Sequence, residues 1–308
     1  MRLWYAYFRS ALMVFIATAL LAAAPLAAKP LKILTDIRPI QALVSEVTGG
    51  VVLPDMLLTS GVDGHDFALK PSDLRKVQSA DLVIWAGPDA VPGLAKILAR
   101  PEISVKSLRL DTVTGTLHLP LRHSGVFRAA DAAMAEFDDP HRWLSPKNAR
   151  LWIAAIVKRL AALDPENAPV FRANAAGLDM AIEIAEAQIS AALDPHKSRR
   201  FVQFHDALQY FEIGFGLRPI GFVTVGDADA ASLGSIAELR EALIKHQPAC
   251  VFVAPGAQAK RALPLLEGTN ARLGFVDPLG TTDAQNPQSY VQLLLDISKG
   301  YVECFDAL

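Results

Sequence analysis

Three histidines in separate loops are the residues of this sequence best suited to bind a metal ion. His65 lies in GVDGHDF, His141 in DDPHRWL and His205 in FVQFHDA, and Asp277 adds a carboxylate in FVDPLG. Three imidazoles and one carboxylate suit the tetrahedral coordination of zinc, whereas magnesium and calcium prefer oxygen ligands. The intervals of 76, 64 and 72 residues are too long for a local zinc-finger unit, so a folded scaffold must bring these loops together.

The other histidines have simpler interpretations than metal binding. His118 and His123 lie in a stretch with little helix or strand periodicity. His196 and His246 lie near predicted helix ends, where a positive charge interacts favourably with the helix dipole. An aspartate lies within two residues of each of the three candidate histidines and is able to orient the imidazole by accepting a hydrogen bond from it. These aspartates are Asp66, Asp139 and Asp206.

The elements that must position these loops alternate between strand and helix patterns. Apolar runs of strand length occupy 31–35, 51–58, 81–87, 105–110, 200–204, 218–225, 249–254 and 271–277. Helical patterns occupy 39–47, 146–163, 207–214, 233–245, 257–266 and 287–305, with a further helix start at Pro71. The alternation predicts an α/β fold of two lobes, each with a mostly parallel sheet flanked by helices. Ligands bind beyond the carboxyl ends of such strands, so facing lobes would let the four candidate ligands converge.

One long, rigid helix is predicted to join the two lobes. Between 166 and 193, apolar residues recur at spacings of four, three, four and three, as on one face of a helix. These residues are Leu178, Ile182, Ala185, Ile189 and Ala192. About 25 helical residues extend on the order of 37 Å, enough to run along both lobes and to restrict hinge opening. Before this helix, the stretch from Asp111 to Asp138 is predicted to be a long loop.

The N-terminal residues are typical of a secretory signal peptide. Arg2 and Arg9 supply positive charge, and an apolar run follows that ends in small residues up to Ala28. A short membrane anchor is the alternative, although the run is shorter than the ~20 residues that a span needs. We therefore expect export to the periplasm and a soluble mature protein. The predicted division is a signal peptide at 1–28, an N-terminal metal-binding lobe at 29–165, the linking helix at 166–195 and a C-terminal metal-binding lobe at 196–308.

Cys250 and Cys304 are the two cysteines of the chain. Export places both in an oxidising compartment, where a pair tends to form a disulfide. Cys250 lies in the predicted strand ACVFVA and Cys304 in the last predicted helix, so a bridge would tie this helix to the sheet. Two buried free thiols are the alternative.

Charge and motif content argue against two classes of function. Charged residues are 20% of the chain, the formal net charge is −2 and no basic run stands out, so nucleic acid is not an expected partner. A zinc-dependent hydrolase is the less favoured alternative, because the sequence has neither H-E-x-x-H nor G-x-S-x-G. For such an enzyme, Glu212 is the candidate general base that lies nearest in sequence to a histidine. We expect no enzymatic activity.

Four motifs, in chain order, carry a family resemblance: GHDFALKPSDLRKVQSADLVIWAGP, DPHRWLSPKNA, FHDALQYFEIGFGL and VDPLG. From about Leu31 to the C-terminus, the sequence resembles the zinc-specific solute-binding receptors of bacterial ABC importers. The resemblance implies two α/β lobes joined by one rigid helix, with zinc as the transported ligand between them. It implies periplasmic capture of zinc and delivery to the membrane permease of an ABC importer. We expect a monomer.

The resemblance also implies which residues bind the ion. It makes His65, His141 and His205 the zinc ligands and leaves the fourth place to Asp277 or water, because Gly64 excludes a glutamate beside the first histidine. Manganese receptors of the wider family usually carry glutamate at the third position, so His205 favours zinc. A receptor for manganese or another divalent metal is the alternative.

Two further features follow from the resemblance. Cys250 and Cys304 match the positions of a disulfide in close relatives. Many zinc receptors carry a loop rich in His, Asp and Glu before the DPH motif, whereas this chain holds only His118 and His123 there. An auxiliary zinc site in this loop is therefore not expected.

Overall fold

Two separate sheets carry the loops with the candidate ligands. The computed structural model describes residues 30–58, 64, 67–127, 137–224, 232–247, 249–281 and 289–308. The first sheet has the order β2-β1-β3-β4, with strands β1 (Ile33–Thr35), β2 (Asp55–Met56), β3 (Leu82–Trp85) and β4 (Ser107–Arg109). The second has the order β5-β7-β6-β8-β9, with strands β5 (Gly125–Val126), β6 (Arg200–His205), β7 (Gly221–Thr224), β8 (Ala249–Val253) and β9 (Arg272–Phe275). Among these described strands β5 alone pairs antiparallel, so the prediction of mostly parallel sheets is confirmed.

Helices accompany both sheets. Within the described ranges they are α1 (Arg38–Thr48), α2 (Pro71–Ser79), α3 (Pro92–Leu98), α4 (Pro101–Ser104), α5 (Pro146–Leu163), α6 (Ala168–Leu193), α7 (Gln209–Phe215), α8 (Leu233–Lys245), α9 (Ala257–Leu266) and α10 (Tyr290–Asp306). Helices α2 to α5 each begin on a proline, whose missing N–H needs no partner in the first turn. The predicted bounds of α5, α8 and α9 are confirmed.

The long helix α6 joins the lobes as predicted. It packs against α1 and α5 on one side of the molecule and against α10, which covers β9 of the second sheet. Its buried face includes Leu178, Ile182, Ala185 and Ile189, but Ala192 is exposed and Leu193 takes the next buried position. Leu193 lies four residues after Ile189, so it continues the same face of the helix.

Two predicted segments differ in the structure. The strand predicted at 51–58 is reduced to Asp55–Met56, because Pro54 has no N–H to donate to a neighbouring strand and Leu53 is 83% exposed. The predicted loop at 111–138 contains strand β5, which joins the second sheet. Its two ends run antiparallel as a short ribbon, in which Leu121 N donates to Phe137 O and Asp139 N donates to Leu119 O.

A disulfide joins β8 to α10, as expected from the sequence. It links Cys250 to Cys304, and both residues are buried. Aromatic rings pack around this junction, including Phe252 against Tyr301 and Phe305. The bridge therefore fixes the last helix against the core of the second sheet.

The predicted signal peptide at 1–28 lies outside the described residues. In the part of the chain that is described, no helix is both long and apolar enough to cross a membrane. The division at residues 29–165, 166–195 and 196–308 stays a prediction.

A buried carboxylate lies at the carboxyl edge of the first sheet. Asp36 follows β1 and has no exposed surface; its two oxygens accept hydrogen bonds of 2.8 Å from the backbone N–H groups of Ile37 and Ala86. Burial raises the pKa of the Asp36 carboxyl to about 7, against the lowering effect of these two hydrogen bonds, and nearby Asp111 raises it further. Asp36 thus makes folding sensitive to pH.

Because of Asp36, the metal-free protein is expected to lose stability as the pH rises from about 4 to about 7. The folded state holds a proton in this window that an unfolded aspartate, with a pKa near 3.9, has released. The loss of unfolding free energy is on the order of 4 kcal/mol and levels off above about pH 7. Urea unfolding in the presence of a chelator measures it, and Asp36→Asn should make the dependence less steep by the share that belongs to Asp36. Equal slopes for both proteins would contradict the assignment.

Candidate metal site

His205 ends the central strand of the second sheet. Strand β6 lies between β7 and β8, and His205 pairs with Thr224 at its carboxyl end. The side chain is largely buried, with 9% of the residue exposed. This is the edge at which a parallel sheet of an α/β protein binds ligands.

His141 is held by the segment that returns from the ribbon. It follows Asp139 and Pro140 and precedes a short 3-10 helix, after which Ser145 caps the first turn of α5. The carboxylate of Asp139 accepts hydrogen bonds of 2.8 Å from both the backbone N–H and the Nδ1 of His141. When Asp139 is ionised it accepts a hydrogen bond from Nδ1, and in that tautomer Nε2 carries the lone pair with which an imidazole binds metal.

The structure brings the ring of His141, which lies just before α5, together with the ring of His205 at the end of β6. Their centroids are 5.1 Å apart and their planes differ by 73°. The indole of Trp143 packs edge-on against His141 at 5.1 Å. The pair is therefore close enough to bind one ion, in a pocket with an aromatic wall.

Asp139 connects the histidine pair to the second lobe. It is fully buried, and burial raises its pKa to about 7, while the hydrogen bond from His141 and the positive charge of Arg122 lower it. The amide of Gln209, in the orientation that satisfies its neighbours, donates to Asp139 Oδ2 at 2.7 Å. Tyr210 donates to the backbone oxygen of Asp139 at 3.1 Å. Helix α7 of the second lobe therefore supports the carboxylate that orients His141.

The loop that carries Asp277 also meets the His141 segment. Trp143 Nε1 donates to the carbonyl oxygen of Pro278 at 2.9 Å, and the Tyr290 hydroxyl donates to the carbonyl oxygen of Trp143 at 2.6 Å. The carboxylate of Asp277 itself accepts four hydrogen bonds within its loop, from the N–H groups of Leu279, Gly280 and Thr281 and from the Thr281 hydroxyl. These four bonds occupy the lone-pair positions of a carboxylate.

His65 lies outside the described residues. Its neighbour Gly64 is buried, and a Cβ built there would lie 2.4 Å from the carbonyl oxygen of Ala90. The close approach requires glycine immediately before the histidine. Within the described ranges, which leave His65 out, no group of three His, Cys, Asp or Glu side chains is arranged to hold a metal.

Three of the remaining histidines have structural partners. His118 contacts Asp138 through Nδ1 at 2.7 Å and the carbonyl oxygen of Asp111 through Nε2 at 3.1 Å. His196 stacks on Phe305, and His246 caps the end of α8. The interpretation of these residues as structural groups agrees with their contacts.

A charged network that includes Asp206, the residue after His205, was not predicted from the sequence. Arg122, from the segment between β4 and β5, forms a two-point contact with the carboxylate of Asp206 and donates to Glu212 Oε2 at 2.9 Å. Glu212 Oε1 accepts from Gln203 Nε2 at 2.9 Å and from the Tyr301 hydroxyl at 3.3 Å. The basic residue lies 84 positions before its first partner, so no local motif links them.

Known proteins match nearly the whole chain. Residues 33–304 match the family described as zinc-uptake complex component A, periplasmic. The chain belongs to this family. Relatives include the high-affinity zinc uptake system proteins ZnuA of Paracoccus denitrificans, 31% identical over 93% of this chain and 95% of that one, and of Yersinia pestis, 32% identical over 94% and 96%.

A solved structure supports the fold of this zinc-uptake component A family member. The periplasmic zinc-binding protein TroA from Treponema pallidum has a TM-score of 0.77 at 21% identity, over 90% of this chain and 99% of that one. The likeness shows a shared architecture. The predicted family resemblance and the fold of two lobes joined by a long helix are therefore confirmed.

Proposed function

We propose that this protein captures zinc in the periplasm and delivers it to the membrane permease of an ABC importer. The observation that best supports this proposal is the 5.1 Å distance between the ring centroids of His141 and His205, which belong to the predicted N-terminal and C-terminal lobes. Two relatives that match almost the full chain are named high-affinity zinc uptake system proteins. Buried imidazoles oriented by a carboxylate are typical zinc ligands.

The proposed ligands are His65, His141 and His205, with Asp277 or water in the fourth place. The hydrogen bonds that Asp277 accepts within its own loop favour water in the described conformation. Ligation by Asp277 would require the loop to release one of these bonds. Because zinc binds unprotonated imidazole, we expect affinity to weaken below about pH 6.5.

We also propose how the protein is exported and that it acts as a monomer. Residues 1–28 act as a signal peptide that is cleaved near Ala28, and the mature protein is a monomer that does not bind nucleic acid. No catalytic role is proposed. Glu212, the general base of the hydrolase alternative, is fully buried and bound by Arg122, Gln203 and Tyr301, an arrangement that does not favour proton transfer to a substrate.

Metal competition on the mature protein tests this function. After removal of metal with a chelator, titration is expected to give one tightly bound zinc per chain, and manganese should not displace it at equal concentration. Zinc–nitrogen distances of about 2.0–2.1 Å from X-ray absorption would match imidazole ligands. Preferential binding of manganese would favour the alternative receptor, and absence of zinc binding would end the proposal.

A further inference from the structure

Two buried carboxylates that follow His205 in the chain could compete for a bound cation. Asp206 directly follows His205 and is 2% exposed, and Glu212 on α7 is fully buried. Carboxylate oxygens suit manganese, magnesium and calcium, whereas imidazole nitrogens suit zinc. The preference of this site therefore depends on where these carboxylates are directed.

Arg122 engages both carboxylates. Its Nε donates to Asp206 Oδ2 at 2.9 Å, its Nη2 contacts Asp206 Oδ1, and the same Nη2 donates to Glu212 Oε2 at 2.9 Å. Its guanidinium lies over the ring of Phe127, 4.8 Å from the centroid. Only 17% of the Arg122 side chain is exposed, so these contacts lie largely out of water and screening is weak.

The partners explain why an arginine is needed. A guanidinium presents several N–H groups in a fixed plane and binds one carboxylate at two points while it reaches a second. Lysine offers a single point charge and would leave one oxygen of the pair without its donor. Gln203 and Tyr301 bind the other oxygen of Glu212, so the network is complete on that side.

We propose that Arg122 determines metal specificity by positioning: it holds the carboxylates of Asp206 and Glu212 away from the ion, so that the site presents imidazole nitrogen to zinc. This inference rests on the proposed function, and it identifies Arg122 as the residue that determines the preference of the site for zinc. Arg122 does not itself bind the ion. It acts through Asp206, which is covalently next to His205.

The test compares zinc and manganese affinities of the wild type and Arg122→Met. We expect the ratio of zinc to manganese affinity to fall about tenfold or more, the scale of effect seen when residues that support metal ligands are changed. Arg150→Met is the matched control, because Arg150 binds Asp179 at two points between α5 and α6, away from the histidines. An unchanged ratio in Arg122→Met, or an equal fall in Arg150→Met, would overturn the inference.

A second variant guards against simple misfolding. Arg122→Met combined with Asp206→Asn removes the carboxylate next to His205, while Glu212 keeps its contacts with Gln203 and Tyr301, and the ratio should return to within about threefold of the wild type. Failure of this double variant to restore zinc preference would show that Asp206 is not the group that Arg122 controls. Absence of zinc binding by the wild type would instead contradict the proposed function.

Discussion

Replacing His205 by alanine is expected to lower the zinc affinity of the protein about 100-fold. Four-ligand zinc sites bind with about 10–16 kcal/mol, so each ligand contributes on the order of 3 kcal/mol, or about two powers of ten. The ring of His205 lies 5.1 Å from that of His141, and we expect His141→Ala to have a similar effect. Competition with a fluorescent zinc chelator measures both variants.

Two other substitutions serve as controls for this result. His123→Ala removes an exposed histidine from the same protein and should leave zinc affinity unchanged. Asp277→Asn should reduce affinity less than tenfold if water is the fourth ligand, because the Asp277 carboxylate is bound within its own loop. A loss as large as that of His205→Ala would make Asp277 a ligand. Unchanged affinity in both His141→Ala and His205→Ala would exclude the site.

Removing the disulfide is expected to lower the unfolding free energy by about 4 kcal/mol. Cys250 and Cys304 are separated by 54 residues, and a crosslink that closes a loop of this length restricts the unfolded chain by about that amount. The bridge also holds α10 on the second sheet, where Tyr301 and Phe305 are buried. Urea unfolding with and without a phosphine reductant measures the change.

The disulfide should affect stability far more than zinc binding. Cys250 lies near the start of β8, whereas His205 lies at the carboxyl end of the neighbouring strand β6. The double variant Cys250→Ala and Cys304→Ala should unfold at lower urea and should not respond further to the reductant. An identical unfolding midpoint before and after reduction of the wild type would contradict the predicted contribution.

Sequence periodicity predicted the framework because the signals were local. The buried face of α6 recurs every three or four residues, and the apolar runs at β1, β3, β6 and β8 are too hydrophobic for an exposed position. His205 ends such a strand, so its place at the carboxyl edge of a sheet could be anticipated from strand direction, whereas His141 was recognised only as a residue just before a helix. Asp139 and Trp143 each lie two residues from His141 in sequence, and Asp139 could therefore be proposed as the hydrogen-bond partner of its ring.

The remaining features depend on contacts between distant residues. Strand β5 is only two residues long and gains its pairing from β7, so Gly125 and Val126 show no strand pattern of their own. Arg122 contacts Asp206 and Glu212, which lie 84 and 90 residues after it in the chain. The Asp277 carboxylate was predicted from its position at a strand end, but the turn that follows it decides where its oxygens point.

The chain leaves the first sheet after β4, passes through 119–121 to β5 of the second sheet and returns through 137–139 to α5, so α6 is not the sole covalent link between the lobes among the described residues. A single connecting helix would permit rotation about its own axis, and a connection at a separate point opposes that rotation. A metal ion bound between the lobes would then dissociate slowly unless a partner protein shifts them. Where the ion is scarce, slow dissociation keeps it bound while the protein diffuses. Release would then depend on contact with the membrane partner.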